Sequence, residues 1–138
     1  MHQPARKFLL VLLLVYAAAS LLHFIHNAEF LADYPNLPAT WSRAGVYLAW
    51  AVMTIVGMLG WFLVTRGHEV AGLLIVLVYA ALGLDSLGHY VLAPMAMHSM
   101  AMNTTILREV SAAALVFAEA SRLIVVRMLR QSSAGLER

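Results

Sequence analysis

The chain has 138 residues, of which 62% are hydrophobic and only 12% charged, against roughly 45–50% and about 25% in soluble domains. A fold this small has too much surface for its volume to hide that apolar content, which excludes an ordinary soluble domain and leaves lipid as the solvent. The net charge is only +2, with the basic residues scattered, so the balance does not point to nucleic acid; with no cysteine there are no disulfides, thiolate ligands or redox thiols.

The first apolar stretch, Phe8 to Ile25, follows Arg6 and Lys7 and contains Ala17, Ala18 and Ala19, a pattern shared with secretory leaders. It is also long enough to span, and is expected to be a retained helix over about residues 8–31. Tyr34-Pro35-Asn36-Leu37-Pro38 ends it, because proline cannot donate a backbone hydrogen bond and restricts the residue before it. A second apolar run predicts a helix over about 44–65. Thr65-Arg66-Gly67-His68-Glu69 then makes a tight polar turn into a third, about 70–93. Ala93-Pro94 opens the next turn, and Asn103 or Thr104 is expected to cap a fourth helix over about 104–126. The polar tail, 131–138, is expected to fray.

Each run meets the roughly 20 residues that cross a hydrocarbon core of about 30 Å. None has the alternation of barrel strands. The expectation is a single all-α domain, an integral membrane four-helix bundle running up-down-up-down. Arg6, Lys7, Arg66, Arg122, Arg127, Arg130 and Arg138 fall on one side, against Arg43 and Arg108 on the other. The excess of arginine and lysine predicts a multi-pass cell-membrane protein with both termini cytoplasmic.

Counting inward from the opposite, extracytoplasmic ends, three helices bring ionisable groups to one level: His23 and His26, Asp85 and His89, and Arg108 and Glu109. Asn27, Glu29 and Asp33 lie just above, with His98 in the loop. Such groups are costly in hydrocarbon, usually face the helix interfaces, and are candidate functional residues for that reason. His23 and His26 at i,i+3, and Asp85 and His89 at i,i+4, each share a helix face. A histidine–carboxylate pair so placed can chelate a metal or let the carboxylate orient the ring. The expected ligands are His23, His26, Asp85, His89 and His98, with Asn27, Glu29, Asn103, Arg108 and Glu109 supporting or adding to them.

Met95, Met97, Met100 and Met102 flank His98. Thioethers select Cu(I), and imidazole accepts either copper state, so copper is favoured over iron or zinc. Asp85-x-x-x-His89 followed by His98 is similar to the Asp/His/His copper-ligand pattern of the membrane C subunit of particulate methane and ammonia monooxygenases. The likeness covers some fourteen residues, and the His89–His98 interval departs from that family's spacing. It implies a copper site on those three residues and nothing about the remaining helices.

Blander readings stand beside these. The helix-one histidines can bond water or backbone, Asp85 and His89 can stitch helices, Arg108 can pair with Glu29 or Asp85, and the methionines can fill gaps. Three functions follow: a redox metalloprotein or metal-handling protein; an accessory subunit of a membrane complex or homo-oligomer using the polar cluster for assembly, protons or a small molecule; and a b-type haem carrier with His23 or His26 opposite His89.

Overall fold

The computed structural model describes residues 1–136, and every element among them is helical. In chain order these are α1 (Gln3–Glu29), a 3-10 turn (Leu31–Asp33), α2 (Arg43–Thr65), α3 (Glu69–Leu84), a 3-10 turn (Asp85–Leu87), α4 (Gly88–Leu92), a 3-10 turn (Met95–Met97) and α5 (Met100–Leu136). Three stretches are long and apolar enough to cross a membrane: Gln3–Glu29, Arg43–Thr65 and Glu69–Leu92.

Local signals explain most boundaries. Pro4 sits in the first turn of α1, where its missing N–H costs nothing. The loop after α1 turns at Asn36, whose φ of 59° is in the left-handed region that asparagine tolerates. The Asn36 side chain then donates to the Leu92 carbonyl at 2.9 Å, tying this loop to the end of α4. Ser42 caps α2 by accepting from the Gly45 N–H at 3.1 Å. Gly67, at φ 91°, supplies the reversal into α3.

Three expectations need correcting. The third apolar run is not one α-helix: the 3-10 turn at Asp85–Leu87 divides it. The last helix begins at Met100 rather than at residue 104, because Ser99 and not Asn103 or Thr104 is its cap. The Ser99 hydroxyl accepts the Met102 N–H at 3.2 Å. The helix also runs on through residues 131–136, where a frayed tail was expected; Arg138 lies outside the described residues.

Consecutive long helices run antiparallel. Gly60 meets Gly72 and Gly57 meets Tyr79 across α2 and α3, while Ser86 meets Glu109 and Glu69 meets Arg127 across α3 and α5. Helix α1 lies parallel to α3 and antiparallel to α5, with Tyr16 donating to the Tyr79 carbonyl and His23 facing Glu109. The core is the stripe Leu9, Leu13, Tyr16, Ser20, His23 and Asn27 of α1, at the three- and four-residue spacing of one helix face. It meets Val76, Tyr79 and Ala80 of α3 and Ala113, Val116 and Ala120 of α5. Outward, Phe8, Val11, Leu14, Leu48, Ile55, Met58, Leu74, Val78, Leu115 and Val125 are exposed, an apolar surface suited to lipid tails.

Close contacts set the helix spacing. Gly60 and Gly72 let the α2 and α3 backbones touch: a Cβ on Gly72 would lie 2.7 Å from the Gly60 carbonyl oxygen, the small-residue contact typical of membrane helices. Tyr16 fills the space above Gly83 with its hydroxyl and stacks on Tyr79 at 4.4 Å between ring centroids.

Candidate functional site

At the end of the molecule formed by the C-terminus of α1, the broken end of the third apolar run and the start of α5, polar side chains converge. Glu109 is fully buried. One carboxylate oxygen accepts from the Ser86 hydroxyl at 2.8 Å and stands 3.7 Å from His23 Nε2. The Ser20 hydroxyl lies beside the same carboxylate without reaching full hydrogen-bond geometry. His23 is itself 1% exposed, and its Nδ1 is 3.3 Å from Thr105 Oγ1. Because the Thr105 hydroxyl already donates to the Met102 carbonyl, it accepts from His23 Nδ1–H. In the neutral ring, Nε2 therefore turns its lone pair toward Glu109.

The Asn27 amide lies against His89, its Nδ2 3.4 Å from Nε2, while Asn27 Oδ1 is buried without a partner. His98 is buried, with Nδ1 3.1 Å from the Pro94 carbonyl. That nitrogen must donate, leaving the His98 Nε2 lone pair buried without a partner. Between these rings sits Tyr34, 4% exposed, its ring 5.1 Å from that of His89 and 6.4 Å from that of His98. Its hydroxyl and His26 Nδ1 are 2.9 Å apart. Burial pushes the Tyr34 phenol up to about 12, so it stays protonated and is the donor in this bond at ordinary pH.

Not all the expected site residues meet. The rings of His23 and His89 touch edge-on at 5.4 Å, and those of His89 and His98 lie 6.1 Å apart. His26 instead turns toward Phe30 and Tyr34. Asp85 is exposed, on the side opposite the buried face of α3, while its neighbour Ser86 reaches Glu109. Glu29 accepts from Tyr47 at 2.7 Å and pairs with Arg43 at 2.6 Å. The expected pairing of Arg108 with Glu29 or Asp85 does not form; Arg108 is exposed and in no ion pair among the described residues. Asn103 holds the loop, accepting from Tyr90 and donating to the carbonyls of Met95 and His98. Met95, Met97 and Met100 are exposed, while Met102 is buried with Tyr34 and Ile106, so the four thioethers do not share one environment. Among the described residues, no three or more histidine, aspartate or glutamate side chains are placed to hold a metal ion.

Ser20, Ser86 and Thr105 belong to the network and were not anticipated. Ser20 lay within reach of sequence reasoning, since it continues the 9, 13, 16, 20, 23, 27 stripe. Thr105 lies four residues before Glu109, on the same face. Ser86 carried the same kind of signal, three residues beyond Gly83 on the buried face of α3.

Beside this network opens a cleft of about 720 Å³ between α1, α2 and the α3–α4 segment, within the range of ordinary small-ligand sites. Phe24, Val46, Ala49, Met53 and Leu82 make an apolar channel, and His23, Asn27, Asp85, Ser86 and His89 form its polar wall. His89 brings an imidazole to this wall and Asp85, one turn earlier, a carboxylate acceptor. No family model, curated protein or solved structure matches the chain.

Proposed function

We propose that the chain is a four-span membrane protein that binds a small amphiphile in this cleft, with the polar end of the ligand on Asp85 and His89 and its hydrocarbon along α2. The observation that carries the reading is the lining itself: one wall of histidine, carboxylate and amide groups in a largely apolar cavity, within helices suited to lipid. Asp85 makes the wall a poor host for an anionic head and a good one for a hydroxyl or an amine. Beside it, the buried His23–Glu109 pair, 3.7 Å apart, joins an imidazole to a carboxylate, the pairing of groups that exchange protons. This gives the cleft acid–base capacity toward a bound head group.

Helix α5 is the fourth span. Its buried Glu109 faces other helices, Glu119 is neutralised by Arg122 at 2.7 Å, and the stretch between the two acids is uncharged. Its 37 residues extend about 55 Å, beyond a core of about 30 Å. Arg6, Lys7, Arg66, Arg122, Arg127 and Arg130 gather away from the cleft, which supports an orientation with both termini in the cytoplasm and the cleft on the extracytoplasmic side.

The test uses protein in nanodiscs and a series of ten-carbon amphiphiles. Decanol and decylamine should raise the melting temperature while decanoate does not, and Ala49→Trp, which fills the channel from an exposed position, should abolish the effect. Stabilisation independent of head group, or unchanged by Ala49→Trp, would defeat the proposal.

A second reading, a copper, iron or zinc centre, rests on a separate observation. His98 presents a bare, buried Nε2 while its Nδ1–H is held by a carbonyl, the arrangement usual for metal-bound histidine. His98 and His89, whose rings lie 6.1 Å apart, would be two of the donors. Elemental analysis after metal loading decides it; less than about one equivalent per chain ends it. The haem alternative has less support, since the His23 and His89 rings are in direct edge contact and leave no slot between them for a macrocycle.

A further inference from the structure

At the end opposite the cleft, a second cavity of about 360 Å³ lies between the start of α1, the start of α3 and the distal part of α5. Its polar lining is dominated by Arg122, Arg127 and Arg130, and its floor includes Leu73 and Val126. The carboxylate present, Glu69, is shared between Arg127 and the amino-terminal amine. Arg122 is occupied by Glu119 at 2.7 Å through two parallel hydrogen bonds. Two donors remain. Arg127 Nε is buried with no partner, and Arg130 takes part in no ion pair among the described residues.

We infer that this cavity binds the phosphodiester head group of an anionic phospholipid. Guanidinium groups recognise phosphate oxygens through charge-assisted, often paired, hydrogen bonds. The site has uncommitted guanidinium donors, and its cationic groups outnumber the carboxylate. The apolar floor distinguishes a lipid from a free anion: Leu73 and Val126 offer nothing to inorganic phosphate but can cover the glycerol and first acyl carbons. Basic pockets between membrane helices are a general means of lipid-specific recognition. The ligand and the end of the molecule differ from those of the cleft, so either site can fail without the other.

Native mass spectrometry of the full chain, released from detergent in the presence of phosphatidylglycerol or phosphatidylcholine, tests the inference. Phosphatidylglycerol should be retained in preference to phosphatidylcholine. Arg130→Gln should weaken that retention about fivefold, the loss of one membrane-proximal cationic contact. Arg127→Gln should do the same; if it does not fold, because Glu69 loses its partner, the exposed Arg130 decides alone. Arg43→Gln, at the other end, should change nothing. Equal retention of both lipids, or an Arg130→Gln variant that binds as the parent does, would overturn the proposal. So would displacement of the lipid by millimolar inorganic phosphate, which would reassign the site to a free anion.

Discussion

Replacing Gly72 by alanine probes the contact that positions α2, one wall of the cleft. A Cβ at this position would lie 2.6 Å from the Val64 backbone nitrogen and 2.7 Å from both the Gly60 carbonyl oxygen and Val64 Cγ2. Ordinary contact begins near 3.4 Å, so α2 and α3 must separate by about 0.8 Å, the difference between the two distances. Two of the three obstructing atoms belong to the backbone, and no rotamer change relieves them. Overpacking of this kind costs about 1–3 kcal/mol, and the upper end applies where the backbone must move. Alanine returns up to about 1 kcal/mol through its better helix propensity, leaving a net loss of about 2 kcal/mol. For a chain of this size that lowers the melting temperature by about 6–8 °C. Trp50 and Trp61 on α2 report the transition by intrinsic fluorescence. Gly88→Ala is the control: a Cβ there meets nothing within 4 Å, and the melting temperature should hold or rise. If Gly72→Ala melts with the parent protein, the α2–α3 spacing is not set by this contact.

Two further predictions concern the polar network. Glu109→Ala leaves the Ser86 hydroxyl and His23 Nε2 without partners around a new cavity, a loss of about 2–4 kcal/mol, whereas Glu109→Gln keeps an acceptor for Ser86 and should cost about 1 kcal/mol; equal melting temperatures for the two variants would contradict the network. Tyr34 supplies a pH dependence. With the buried phenol raised from 10.0 to about 12, the folded state holds its proton after the unfolded chain has lost it. The contribution is intact below pH 10 and falls away between pH 10 and 12, by at most about 2–3 kcal/mol. Chemical unfolding at stepped alkaline pH should show that decline in the parent and a shallower one in Tyr34→Phe; parallel curves would refute it.

The amino-acid order determined a good deal by itself. Lengths of uninterrupted apolar sequence specified where the helices run, since a backbone in lipid must satisfy its hydrogen bonds within each segment. Pro35, Asn36, Pro38 and Gly67 marked the reversals through local backbone preferences alone. The shared depth of His23, His89 and Glu109 was likewise legible, because helical rise converts residue count into height.

Tertiary structure decided which of those groups face one another. Helical periodicity says which side chains share a face, but the rotation of each helix about its axis comes from contacts between helices: Gly60 on Gly72, Tyr16 over Gly83, His23 against Glu109. Ser86 is the clearest case: it continues the buried face of α3 that runs through Val76, Tyr79 and Gly83, with Asp85 on the opposite side, but only the packing of α5 brings Glu109 to it. Arg43 rather than Arg108 reaches Glu29 for a similar reason, as Arg108 projects outward from α5. A cleft is a property of how helices diverge, and no single segment of the chain encodes it.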